Sequence, residues 1–257
     1  MSKQTALSLL DEKAEMLFSI GDAIWDHPET DYTEEQSAAV LQAALEKEGF
    51  TVRAGLDGIP TAFSGTYGSG TPVIGILGEF DALPGLSQRA GVAHKEPLTQ
   101  GGNGHGCGHN LLGAGSLAAA VAVKEDLKAR QCPGTVVYFG CPAEEGGSAK
   151  AFLAKDGVFS QVDIALSWHP NALNAVWAFS SLANVRARYT FQGVSAHAAT
   201  SPHLGRSALD ALELMNMGVQ FLREHIIPEA RVHYAITNTG GDAPNVVQAH
   251  AESVYLI

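Results

Sequence analysis

The sequence predicts an α/β protein: a mostly parallel sheet with flanking helices, followed by the start of a smaller α+β domain. Two patterns predict it. As far as Trp168, short apolar runs alternate with stretches of helical periodicity, the order that builds a parallel sheet. From about Ser180 onward the strand-like segments alternate polar and apolar residues, as strands with one solvated face do. The predicted division is residues 1–181 and residues 182–257. A chain of 257 residues can bury a core in each part.

Thr5 to Ile24 places Leu7, Leu10, Ala14, Leu17 and Phe18 at helical spacing. A second helix runs from Thr33, a good capping residue, to Glu48, with Gly49 ending it. Thr51–Arg53 and Thr61–Gly65 read as short strands. Pro72–Gly78, Thr135–Gly140 and Val162–Trp168 are short apolar runs and predict three buried strands. Between them, Asn110–Arg130 and Ala149–Lys155 read as helices. Val185–Phe191 alternates, with Arg186, Arg188 and Thr190 on one side. Ala208–Glu224 is an amphipathic helix, and Arg231–Thr237 and Val246–Ile257 are strand-like. There is no internal repeat and no low-complexity tract.

Composition bounds the function. Hydrophobic residues at 46% and charged residues at 17% fit a folded chain rather than a disordered one. A net charge of −11 argues against nucleic-acid binding, which needs clustered Lys and Arg. The longest apolar runs are too short to span a bilayer. Three cysteines, Cys107, Cys132 and Cys141, do not form a disulfide framework. Ser2-Lys3-Gln4-Thr5 leads into a charged amphipathic stretch without the apolar core of a signal peptide. The expectation is a soluble, reduced, cytoplasmic protein.

Parallel sheets place their chemistry just beyond the carboxyl ends of their strands. Glu79-Phe80-Asp81 follows the first apolar run, Pro142-Ala143-Glu144-Glu145-Gly146-Gly147 the second, and His169-Pro170 the third. The Gly-rich loop Gly104-His105-Gly106-Cys107-Gly108-His109-Asn110 lies between the first two. Singly, each group has an ordinary reading: a flexible loop, a solvated acidic pair, a structural histidine, a turn-capping Asp81. Together at successive strand ends, thiolate, imidazole and carboxylate form a ligand set for zinc or a similar divalent ion. A second reading makes Cys107 a nucleophile with His105 or His109 as its base.

At these residues the chain resembles the M20 family of metallopeptidases and amidohydrolases, in its aminoacylase-like branch. The matching stretches are Gly78-Glu79-Phe80-Asp81-Ala82-Leu83-Pro84-Gly85-Leu86, Gly101–Asn110, Pro142–Gly147, Gly193-Val194-Ser195-Ala196-His197-Ala198-Ala199 and Pro202–Ala208. The resemblance implies a zinc-peptidase-like catalytic domain over 1–181 and an incomplete ferredoxin-like lid or dimerisation domain over 182–257. It implies two divalent metal ions, zinc or manganese with cobalt also suitable. Cys107, His109, Glu145 and His169 match metal ligands. Glu144 matches the general base that deprotonates a water shared by the metals, and Asp81 the acid that orients a ligand. His197 matches a lid histidine that stabilises the oxyanion in the site of a partner protomer, and Asn245 a substrate-contacting Asn.

The activity implied is hydrolysis of the amide bond of an N-acyl or N-aroyl amino acid or a dipeptide, with an aminobenzoyl-glutamate-like substrate included. A homodimer or heterodimer through the lid is the implied assembly. Two departures stand out. Glu79 occupies a place where many members have His, which selects the branch that uses the Cys107/His109 pair. Members are also longer, with a further His ligand and a substrate-binding Arg after the lid strand that ends here. The expectation is therefore a chain that binds metal more weakly than a full-length protein and hydrolyses little. The alternative is a non-catalytic truncated relative that acts through dimerisation or partner binding.

Overall fold

The computed structural model describes residues 2–178 and 180–257. The chain divides into two compact units, Met1–Asn174 and Ala175–Ile257. The division falls ahead of the expected 181/182 boundary. No described residue between 167 and 185 is in a helix or strand, so periodicity has nothing there to mark the point.

The first unit contains α1 (Lys3–Glu12), α2 (Ala14–Asp26), α3 (Glu35–Lys47), β1 (Thr51–Ala54), β2 (Phe63–Ser69), β3 (Val73–Glu79), α4 (His109–Arg130), β4 (Gly134–Cys141), α5 (Ala149–Lys155) and β5 (Ile164–Leu166). Its sheet has the order β1-β2-β4-β3-β5. Pairing is parallel across β4-β3-β5 and antiparallel across β1-β2 and β2-β4. The fold class is α/β as expected, and the sheet is mixed. The reason lies in the connections. Parallel neighbours need a crossover of a dozen or more residues. α4 provides it between β3 and β4, and α5 between β4 and β5. Between β1 and β2 there is only a short loop with one 3-10 turn at Leu56–Gly58, so the chain reverses.

α2, α3 and α4 cover one face of the sheet. Ile24, Leu41, Leu45, Phe63, Phe80, Leu117 and Tyr138 are buried there. Leu56, Phe139, Cys141 and Leu153 form a second cluster. The central strand β4 is buried along nearly its whole length, as its unbroken apolar run requires.

Three local expectations are corrected. The single helix expected over Thr5–Ile24 is two helices that meet at Lys13, whose Nζ reaches Glu48 Oε1 at 2.6 Å. α3 is not capped by Thr33; the Glu29 carboxylate accepts the N–H groups of Gln36 and Ser37 at 3.0 and 2.9 Å. The third buried strand is an edge strand of three residues. Among the described residues it pairs only with β3, and Ile164 and Leu166 are 48% and 52% exposed.

The second unit contains β6 (Arg186–Gln192), β7 (Ala196–His197), α6 (Ala208–Leu222), β8 (His233–Asn238), β9 (Val246–Val247) and β10 (His250–Leu256). β6-β10-β8 form an antiparallel sheet, and β7 pairs with β9. Ser207 caps α6 by accepting the Asp210 N–H at 3.0 Å. Ala208 and Leu212 pack with Ala251, beside Phe191. The strand expected over Val246–Ile257 is interrupted between β9 and β10. Among the described residues, no helix is long and apolar enough to cross a membrane.

Candidate metal centre

The three parallel strands β4, β3 and β5 lie side by side, so their carboxyl ends open on one edge. β3 ends in Glu79, followed by Phe80 and Asp81. Phe80 is in the core, and the strand period of two turns Glu79 and Asp81 to the opposite side. Glu144 and Glu145 follow β4, and His169 follows β5. His109 is the first residue of α4. Gly108 before it has φ 75°, a left-handed turn that favours glycine and sets the chain into the helix between Cys107 and His109.

His109 is the hub. It is fully buried, and its Nδ1 lies 2.9 Å from Asp81 Oδ1. A carboxylate accepts here, so Nδ1 carries a proton, and in the neutral ring Nε2 keeps its lone pair. The other oxygen of Asp81 accepts the Glu145 N–H at 2.9 Å. His109 Nε2 lies 3.2 Å from Glu79 Oε2 and 3.9 Å from Glu145 Oε1. Neither His109 Nε2 nor Glu79 Oε2 has a hydrogen-bond partner, although both are buried. Donor atoms of Cys107, His109 and His169 lie within 4.8 Å of one another, and so do those of Glu79, His109 and Glu144. The His169 ring stands edge-on to His109 with centroids 5.5 Å apart, and its Nδ1 is 2.8 Å from the Pro170 carbonyl.

The electrostatics fit a cation. Burial alone would lower the His109 pKa. The Asp81 hydrogen bond and the charges of Asp81, Glu79 and Glu145 outweigh burial and raise it. The Cys107 thiol is pushed up to about 12, first by its hydrogen bond to Glu145, then by burial and the charges of Glu145, Glu144 and Asp81. Glu144 is raised by burial and by its neighbours Glu79 and Glu145, against Lys150 and His109. Lys150 Nζ holds the other oxygen of Glu79 at 2.6 Å. Soft and hard donors therefore face one region with an excess of negative charge and two buried, unpartnered atoms. A divalent ion would supply what that arrangement lacks.

A nucleophilic Cys107 fits poorly. Its neighbours are carboxylates, which disfavour the thiolate. His109 Nδ1 is engaged by Asp81, and His105 Nε2 lies 2.9 Å from the Ile24 carbonyl. Beside Cys107 and His169 opens a cavity of about 630 Å³, walled also by Asp22, Trp25, His105 and Leu111.

Of the residues expected at the site, Asp81, Cys107, His109, Glu144, Glu145 and His169 converge in the first unit. His197 and Asn245 lie in the second. There the strand β7 that carries His197 pairs with β9, and the Ala198 N–H donates to the Asn245 carbonyl at 2.9 Å. Glu79 and Lys150 join the site without having been expected as members. For Glu79 the signal was present: it stands two residues before Asp81 on a strand, and so on the same face.

Residues 75–253 match the family model described as Peptidase family M20/M25/M40. The chain belongs to this family. It is 58% identical over 238 residues to the B subunit of the p-aminobenzoyl-glutamate hydrolase of Escherichia coli K12, a match covering 93% of this chain and 50% of that one. It is 33% identical over 270 residues to the human Xaa-Arg dipeptidase, covering 98% of this chain and 57% of that one. The chain thus spans about half the length of these two relatives. Two solved structures share the M20 fold. An aminobenzoyl-glutamate utilization protein from Klebsiella pneumoniae aligns with TM-score 0.66 at 18% identity, over 97% of this chain and 68% of that one. A dinuclear metal-binding M20 peptidase from Bacillus subtilis aligns with TM-score 0.60 at 20% identity, over 94% and 63%.

Proposed function

We propose that this M20 chain carries the metal-binding part of an amidohydrolase that cleaves the amide bond of an N-acyl or N-aroyl amino acid or a dipeptide. One observation carries the reading: the buried, unpartnered Nε2 of His109 lies 3.2 Å from Glu79 and 3.9 Å from Glu145, and His109 shares a cluster of donor atoms with Cys107 and His169. Cys107, His109, Glu145 and His169 would hold two divalent ions, zinc or manganese, with cobalt also suited. Bound there, the ions supply Lewis acidity toward the amide carbonyl and toward water.

The chain's own groups do the rest. Asp81 fixes the His109 tautomer with one oxygen and the Glu145 backbone with the other. Glu144 takes a proton from the attacking water and hands it to the leaving amine. Its raised pKa brings it nearer the range a general base needs. Lys150 balances the charge of Glu79. His197 would stabilise the oxyanion in the site of a partner protomer and Asn245 would contact the substrate, roles carried over from the family pattern.

The name of the 58%-identical relative points to p-aminobenzoyl-glutamate as the first substrate to try. That relative is named as the B subunit of its hydrolase, and a 28%-identical relative from Haemophilus influenzae as a homolog of the A subunit. The two names favour a hetero-partner beside a homodimer through the second unit. A cytoplasmic location belongs to the same reading, since Cys107, Cys132 and Cys141 are all free thiols, as a reducing compartment keeps them. The test is a metal count on the purified chain joined to hydrolysis assays over N-acyl amino acids and p-aminobenzoyl-glutamate, run also on any longer product of the gene. Chelator-reversible metal binding with little hydrolysis is expected of the 257-residue chain, and two ions with full chelator-sensitive hydrolysis of a longer product. No metal bound at saturating zinc overturns the reading.

A further inference from the structure

The loop that carries Glu144 and Glu145 has an unusual support. Its backbone is held by buried carboxylates on both sides of Glu144. On one side Asp81 accepts the Glu145 N–H at 2.9 Å. On the other, Glu34 Oε1 accepts the Ala143 N–H at 3.1 Å. Glu34 is 0% exposed, and it also accepts the Tyr32 N–H at 3.0 Å and the Thr61 hydroxyl at 3.2 Å.

The same segment grips the loop again further on. The Tyr32 hydroxyl donates to the Gly147 carbonyl at 2.6 Å. A Cβ at Gly146 would overlap the Asp31 carboxylate, and one at Gly147 would overlap the Tyr32 ring. The two sides are also conformationally matched. Ala143 has φ 50°, Asp31 φ 53° and Tyr32 φ 70°, a region that non-glycine residues rarely occupy unless the surroundings hold them there. The segment is anchored in turn, because the Glu29 carbonyl accepts the Ala82 N–H at 2.8 Å and the Pro28 carbonyl accepts from Asn103 at 3.1 Å. Residues 28–34 thus touch the chain next to Asp81, the Gly-rich loop and the Glu144–Glu145 loop.

We propose that Glu34 is a positioning residue: it and Asp81 pin the amides on either side of Glu144, and so set where the base and the Glu145 ligand stand. This rests on the reading of Glu144 as base and Glu145 as ligand. Glu34 itself touches neither. A helix cap alone would not explain its contacts, since Glu34 spends its oxygens on Tyr32, Thr61 and Ala143, while Glu29 caps α3.

The test is amide hydrogen exchange over 142–148 together with zinc titration of the 257-residue chain. Glu34→Leu strips the acceptor from the buried Ala143 amide and the part-buried Tyr32 amide. Exchange in that segment is expected to rise about tenfold or more, with zinc affinity down about tenfold, while exchange in α4 stays unchanged. Glu34→Gln keeps the oxygen that serves Tyr32 and Ala143, and its amide can donate to the Thr61 hydroxyl. It is expected to restore both readouts to within about twofold of the parent. Parental exchange and affinity in a folded Glu34→Leu chain overturn the proposal, and so does a Gln variant as damaged as the Leu one. Should the Leu variant not fold, the parent decides: the Ala143 and Glu145 amides, held by Glu34 and Asp81, are expected to be the slowest to exchange within 142–148, and free exchange at Ala143 overturns the proposal. A parent chain that binds no zinc refutes the metal reading instead, and the exchange comparison still judges Glu34.

Discussion

Asp81→Asn is the sharpest single test of the candidate metal centre. The change keeps shape and volume. Asp81 accepts two hydrogen bonds, from His109 Nδ1–H at 2.9 Å and from the Glu145 N–H at 2.9 Å. Asparagine has one acceptor oxygen, and its amide nitrogen only donates. One of the two donors must therefore face another donor. If His109 yields, its proton moves to Nε2, the atom aimed at the metal. If Glu145 yields, the loop carrying a ligand loses its tether. Either way a group supporting a ligand is lost, which costs about 10–100-fold in metal affinity, or about 1.4–2.8 kcal/mol. The stability of the metal-free chain responds less. An unmet buried donor costs about 1–3 kcal/mol, but the substitution also removes a negative charge that raises Cys107. The assay is zinc calorimetry paired with thermal unfolding, with and without zinc. A large loss of zinc affinity with a small shift in metal-free Tm is expected. Parental zinc affinity in Asp81→Asn would refute the tautomer argument.

The other predictions are briefer. Glu144→Gln should leave zinc stoichiometry intact and lower turnover by about 100-fold or more, the usual contribution of a general base; equal loss of metal and turnover would make Glu144 a ligand. Zinc at about 100 times its dissociation constant should stabilise the chain by about 2.7 kcal/mol, read as a higher Tm that a chelator reverses. Lys124→Met should destabilise by about 3 kcal/mol near neutral pH. Its Nζ is buried against Glu48 Oε2 at 3.0 Å, and the low end of the range applies because Lys13 still reaches Glu48. Burial alone would raise the Glu48 pKa, but the hydrogen bonds to Lys13 and Lys124 win and hold it below the usual 4.5. A depressed acid stabilises the fold above its unfolded pKa and loses that contribution as pH falls through its folded value. The gap between Lys124→Met and the parent should therefore close on acidification, and denaturant melts at about pH 7 and about pH 3 would expose a gap that does not.

Much of the fold was legible because local pattern and long-range order agree. β3 and β4 read as apolar runs because both are flanked by strands and covered by helices. The antiparallel half was less legible. β1 is short and mostly exposed, β2 is buried only in its first half, and the fact that fixes their direction is that only a 3-10 turn joins them. β5 misled for the opposite reason. Val162–Trp168 is as apolar as a buried strand, yet β5 has a single neighbour among the described residues, and burial depends on neighbours rather than composition.

The site divides along the same line. Its ligand candidates were legible because a parallel sheet lines up its strand ends, so residues far apart in sequence reach one edge through a rule that needs no contact map. Glu79 obeyed that rule as well as Asp81 did. It stood out as a departure from a pattern because its type, not its position, drew attention. Glu34 obeyed no such rule. Its partners are a hydroxyl at Thr61 and backbone N–H groups at Tyr32 and Ala143, and an amide hydrogen has no letter in the sequence. Residues that offer donor atoms to a metal can be found by type and spacing. Residues that hold a loop by its main chain become visible only when the fold brings that main chain to them, and a scan that mutates only metal-ligand types would pass over Glu34.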